Sequence, residues 1–168
     1  MSGSTLRRHA KFVVARTYRA TPKQVWDLWT TKEGFESWWA PEGCRVEVRE
    51  IDARPGGVLR YDMIADTPET IVAMQDIGLP LVNANHGRFT EFKPRSRLVL
   101  TWTIDFVPGI DAYETEIAVN LTADGESVRM VVEFSGMHRD DFTKLQEDAF
   151  AGVLARLDAR FSHGERSG

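Results

Sequence analysis

The sequence contains one cysteine, Cys44, among 168 residues. An intrachain disulfide and a multi-cysteine zinc site are both impossible. Basic charge is also scarce: 21 Lys and Arg stand against 25 Asp and Glu, a net charge of −4. That balance carries no electrostatic footprint for nucleic acid, so no nucleic-acid partner is expected. Long apolar runs are missing too. The stretch from Phe12 to Ala15 is broken by Arg16, too short for a signal peptide and far short of a membrane span. A cytoplasmic protein with no membrane insertion is the expectation. The four histidines, His9, His86, His138 and His163, show no paired ligand spacing with one another or with Cys44, and no metal is expected. Gly56-Gly57 has neither a P-loop nor a GxGxxG pattern around it, so it reads as a turn, and no cofactor is expected.

What remains is an ordinary globular composition, with 42% hydrophobic and 27% charged residues. The length suits one domain that buries about 70% of its unfolded surface, enough for a core with room for a cavity. Phe12 to Tyr18 is a first strand, rich in β-branched and aromatic residues. Thr21-Pro22 is an N-cap followed by proline, where the missing N–H costs nothing, and Val25 to Trp29 continues it as a short amphipathic helix. A second helical turn is expected from Phe35 to Trp39. Six further strand signals follow: Arg45 to Ile51, Val58 to Ala65, His86 to Phe92, Leu98 to Phe106, Tyr113 to Leu121 and Val128 to Phe134. Leu59, Tyr61 and Met63 alternate with Arg60 and Asp62, as in a half-buried strand. Ala123-Asp124-Gly125-Glu126 is a hairpin turn. The chain closes on a helix in which Phe142, Leu145, Ala149, Phe150, Val153, Leu154, Leu157 and Phe161 recur at spacings of three and four.

Several apolar-faced strands and one long helix to cover them make an α+β domain. Between two strands, residues 67–85 form an insertion: Thr67-Pro68 caps a short helix that Gly78 and Pro80 stop. It reads either as a loop capping the core edge or as a lid or subunit contact, and a homodimer through it or through the outer sheet face is an expectation. The tail, 163–168, is expected to be disordered.

Val25-Trp26-Asp27-Leu28-Trp29-Thr30, Trp38-Trp39-Ala40-Pro41-Glu42-Gly43, Asp52-Ala53-Arg54-Pro55-Gly56-Gly57 and Pro94 with Arg97-Leu98-Val99-Leu100-Thr101-Trp102 occur in that order. In sequence and spacing this series resembles the heat-shock-protein-90 ATPase activator homologue family, within the START-like (SRPBCC) superfamily. The likeness extends from about Val13 to Phe161 and departs from the family pattern at Ala40, Cys44 and Phe150. It implies a helix-grip fold: one START-like domain over 1–168, its core about 11–162, with a curved antiparallel sheet wrapped around the last helix. It also implies a cavity between the two that holds apolar small molecules.

The candidate cavity lining is Trp39, Tyr61, Met63, His86, Trp102, Met130, Phe142 and Phe150. Aromatic side chains bury large areas, and an indole N–H needs a partner when buried, so the aromatic members serve either a large core or a cavity wall. Trp26 and Trp29 are read as core. His86 is either a structural or exposed histidine, or a polar anchor in an apolar pocket. If Thr90 and Phe92 face inward, strict alternation carries His86 and Arg88 inward as well, yet Phe89 demands the opposite. The leading function is non-catalytic binding of a small apolar ligand. A co-chaperone-like module regulating an ATPase comes second, and an enzyme last, because no nucleophile–base pair is visible.

Overall fold

A computed structural model describes residues 12–40, 43–104, 109, 111–136 and 140–167. The chain runs β1 (Phe12–Tyr18), α1 (Pro22–Thr30), α2 (Lys32–Glu36), β2 (Cys44–Ile51), β3 (Val58–Ala65), α3 (Pro68–Asp76), β4 (Val82–Lys93), β5 (Arg97–Ile104), β6 (Tyr113–Asp124), β7 (Ser127–Phe134) and α4 (Asp140–Ser167). The seven strands form one antiparallel sheet in the order β1-β7-β6-β5-β4-β3-β2. Chain order and sheet order agree except that β1 pairs with the last strand. The helical pair α1–α2 therefore carries the chain from one edge of the sheet to the other. The sheet is curved, and α4 lies against its inner face in the α+β arrangement expected.

Local chemistry explains where the elements begin. Thr21 and Gln24 form a reciprocal capping box: Thr21 Oγ1 accepts from the Gln24 N–H at 3.1 Å, and Gln24 Oε1 accepts from the Thr21 N–H at 2.8 Å. Thr31 then does two jobs. Its N–H closes α1 on the Asp27 carbonyl, and its hydroxyl accepts from the Gly34 N–H at 3.0 Å to start α2. This cap sets α2 at Lys32–Glu36, three residues ahead of the expected start at Phe35, and leaves Trp38 and Trp39 in the turn that follows. Asp124 pairs with Ser127 around Gly125, whose φ of +63° suits a tight hairpin. At the other end of the chain, α4 is assigned through Ser167.

The core lies between the sheet and the helices and includes Trp26, Trp29, Phe35, Trp38, Leu59, Phe89, Leu100, Met130 and Leu154, all buried. β4 reaches it through an irregularity. Phe89 pairs with Leu100 and Glu91 with Val99, so Thr90 is an extra residue bulged out of the ladder. Phe89 and Phe92 consequently both face the core, their rings 5.4 Å apart. The conflict in the sequence between these two phenylalanines is resolved by that one residue. β4 also begins at Val82, not at His86, which shortens the insertion at its C-terminal end.

Candidate functional site

The turn after α2 delivers two indoles to the inner face. Trp38 is fully buried and donates its Nε1 hydrogen to the Leu28 carbonyl at 2.8 Å. Trp39 is half-buried and donates its own to Tyr61 Oη at 2.9 Å, fixing the turn to the middle of β3. Burial pushes the Tyr61 phenol far above its ordinary range, so it stays protonated. Trp39 stacks on Phe35 at 4.9 Å and lies nearly parallel to Trp102 at 6.2 Å. Gly87 makes room for this group. A Cβ there would lie 2.8 Å from both the Trp102 ring and the Thr101 carbonyl oxygen.

Between this aromatic wall and α4 lies a cavity of about 190 Å³, lined by Trp39, Tyr61, Met63, Ile117, Phe134, Gln146, Ala149, Phe150 and Val153. Phe150 packs edge-on against Phe134 at 4.8 Å, closing one side. None of its described lining residues carries a charge. Two polar atoms near it are shut off from water: Gln146 Oε1 in the wall, and Trp102 Nε1 on the indole behind Trp39. Neither has a hydrogen-bond partner among the described residues. Broader depressions of about 460 and 600 Å³ elsewhere are bordered by charged side chains. Of these three, the smallest is the one between sheet and helix.

Of the expected lining residues, the cavity brings together Trp39, Tyr61, Met63 and Phe150. Trp102 contacts Trp39 and Tyr61 without lining the space itself. Met130 is buried in the core away from it. The side chain of Phe142 lies outside the described residues. His86 is a correction: it is exposed on the outer face, beside Arg60 and Asp62, because the Thr90 bulge turns Gly87, not His86, toward the core. Ile117, Phe134, Gln146, Ala149 and Val153 were not anticipated as lining. Gln146 had a legible signal, since it stands three and four residues before Ala149 and Phe150 on the apolar stripe of the helix.

Other chemistry is sparse. Cys44 is half-buried, and burial, with Asp66 nearby, pushes its thiol up and away from the reactive thiolate. Among the described residues no group of three or more His, Cys, Asp or Glu is placed to hold a metal ion, and no helix is long and apolar enough to cross a membrane.

The sequence profile described as "Activator of Hsp90 ATPase homolog 1-like protein" matches residues 19–162. No curated protein matches the chain. Among solved structures, a Chromobacterium violaceum protein is 20% identical with a TM-score of 0.70, over 89% of this chain and 96% of that one. An Arthrobacter aurescens protein is 18% identical with a TM-score of 0.71, over 90% of this chain and 86% of its own. The AHSA1 protein of Silicibacter pomeroyi is 16% identical with a TM-score of 0.70, over 91% of this chain and 98% of that one. At these identities the structural likeness establishes the fold.

Proposed function

The chain belongs to the activator of Hsp90 ATPase homolog 1-like family, within the START-like superfamily, and from that premise we propose that it is a non-catalytic binding protein for a small, largely apolar molecule. The observation that carries this reading is the cavity of about 190 Å³ between sheet and last helix, walled by Trp39, Tyr61, Phe134 and Phe150. Aromatic walls supply non-directional affinity. A ligand burying about 200 Å² of apolar surface at about 25 cal/mol per Å² gains roughly 5 kcal/mol before the costs of association. Binding no tighter than a few tenths of a millimolar from this apolar burial alone is the matching expectation.

Native mass spectrometry of freshly purified protein tests whether a molecule co-purifies. A second measurement follows tryptophan fluorescence, to which Trp39 contributes, while an environment-sensitive apolar dye is titrated in. Saturable quenching that Phe150→Trp abolishes by filling the cavity supports the reading. A folded protein that shows no saturable binding refutes it.

A protein partner is the second reading, and one observation favours it. No residue of α3 is buried, and Val72, Ile77, Leu79 and Val82 stand 51 to 69% exposed on and after it. Clustered apolar exposure of this kind suits a partner surface, whether a second copy of the chain or an ATPase of the sort in the family's name. Sedimentation of the parent against Val72→Ser/Ile77→Ser separates a homodimer from a monomer.

A further inference from the structure

The surface around α3 specifies more about its occupant than apolarity. We propose that it docks a partner protein through a segment whose apolar side chains are flanked by lysine or arginine, and not a second copy of the chain. The proposal rests on the reading of this surface as a partner site and is independent of the cavity.

The backbone holds the apolar side chains out to water. The Leu79 N–H bonds back to the Met74 carbonyl at 2.9 Å, and the Gly78 N–H to the Gln75 carbonyl at 3.1 Å. With Gly78 at a φ of +77°, the chain folds over the last turn of α3 instead of trailing from it. Val82 then opens β4 opposite Ile64 of β3, which carries the exposed apolar side chains from the helix onto the sheet. Ile77, at 69%, is the most exposed large apolar side chain among the described residues. Apolar exposure concentrated in one place marks an interaction site.

Charge then selects the occupant. Residues 61–87 contain Asp62, Asp66, Glu69 and Asp76 and no lysine or arginine. Arg49 compensates Asp62 at 2.7 Å, and Arg45 compensates Asp66 at 2.8 Å. Glu69 and Asp76, both exposed on α3, form no ion pair among the described residues. Asp76 is also the last residue of the helix, where the dipole disfavours negative charge, and no basic residue stands in that turn. The chain thus breaks two local rules side by side, one for charge and one for apolar exposure, as sequences do at functional sites. A symmetric contact between two copies would set the same patch, with the same acids, against itself. An anionic membrane would be repelled as well. A partner that carries positive charge beside apolar side chains satisfies both features.

Fluorescence anisotropy with two labelled peptides tests this on the full chain. Both carry leucines at helical spacing, separated by lysines in one and by glutamates in the other. The leucine–lysine peptide should bind the parent about tenfold more tightly than its counterpart, and Val72→Ser/Ile77→Ser should weaken it at least tenfold. Glu69→Gln/Asp76→Asn should weaken it about fivefold at low salt, a difference that high salt erases. Asp76→Asn alone separates binding from folding. It should weaken the peptide while the thermal midpoint holds or rises, because the helix end loses an unfavourable charge. A lower midpoint with unchanged binding overturns the proposal. Equal binding of the two peptides, both weakened by Val72→Ser/Ile77→Ser, overturns the basic partner and leaves the partner surface standing. A parent dimer that this variant dissolves in sedimentation gives the patch to a second copy. Binding to phosphatidylcholine vesicles that the same variant abolishes gives it to a lipid surface, and either result overturns the proposal. If neither peptide binds at millimolar concentration and the parent sediments as a monomer, the proposal and the partner reading fall together.

Discussion

Tyr18 on β1 donates its hydroxyl hydrogen to Asp158 on α4 across 2.7 Å, joining the edge strand to the long helix. The same ring lies against Phe161 at 4.7 Å, and Arg16 reaches Asp158 from the side at 3.3 Å. Burial, followed by the bond to Asp158, pushes the Tyr18 phenol well above its ordinary range. These contacts hold the C-terminal half of α4, while Phe150 and Gln146 belong to the cavity further toward its N-terminal end.

Tyr18→Phe should therefore loosen one end of the helix without touching the cavity. Loss of a hydrogen bond to a charged, half-exposed partner predicts a destabilisation of about 1–2 kcal/mol. Urea unfolding reads the stability, and hydrogen exchange should show faster opening of α4 near Asp158 than near Phe150.

Phe150→Ala should cost more. The side chain is buried against Phe134, Trp38 and Trp39, and truncating a buried phenylalanine typically costs about 3–5 kcal/mol. A urea midpoint shift equivalent to less than about 1 kcal/mol at constant slope would contradict the packing.

Gly87→Ala tests the close approach of β4 to Trp102. The added Cβ meets both the ring and the Thr101 carbonyl oxygen at 2.8 Å, and the carbonyl belongs to the sheet ladder. An overpacking cost of about 1–3 kcal/mol is expected, together with a changed near-ultraviolet dichroism from the displaced indole. An unchanged spectrum and midpoint would mean that β4 yields freely.

Two carboxylates should give opposite pH dependences. Glu36 Oε2 accepts from Lys32 Nζ and from the Val48 N–H at 2.7 Å, pinning α2 to β2. Burial raises the Glu36 carboxyl, but these bonds outweigh it and hold the group below its ordinary 4.5. Its contribution is present above that value and lost as pH falls, so Glu36→Gln should lower the midpoint at pH 7 and matter less in acid. Glu116 shifts the other way. Burial raises it, Glu114 and Glu91 add to the rise, and a contact from Thr101 only partly offsets them. The folded protein holds this proton more tightly than the unfolded chain, so stability falls as pH rises through the window above 4.5. Glu116→Gln should raise the midpoint at pH 7, with the gain shrinking toward pH 4. Thermal unfolding across pH 3.5 to 7.5 reads both slopes, and parallel curves for the two variants would refute the assignment.

The strands and the caps were legible because their causes are local. Thr21-Pro22 and Thr67-Pro68 start helices by side-chain bonds three residues away, and Gly125 turns a hairpin on its own backbone freedom. The seven strand signals correspond to seven strands for the same reason. The start of α2 was misread because Thr31 serves two helices, and the pull of the Trp38-Trp39 pair suggested a later helix. Four members of the cavity wall, Trp39, Tyr61, Met63 and Phe150, were found through aromatic content and alternation. Ile117, Phe134 and Val153 look like any other core residue in sequence, and only the docking of α4 on β6 and β7 makes them line a space. His86 was placed on neither face, because alternation counted from Phe89 and from Phe92 gives opposite answers.

The Thr90 bulge makes single-residue length changes in β4 unequal. Thr90 is a spacer between two half-strands that are out of phase with each other. Deleting it would splice them into one regular strand, with Phe89 and Phe92 still facing inward and only the bend lost. Deleting Arg88 a short way upstream would invert the parity of every residue before it. His86 would then occupy the slot of Gly87 against Trp102, where even a methyl group does not fit. Two deletions of equal size, two positions apart, would thus produce a straightened sheet in one case and a blocked aromatic wall in the other.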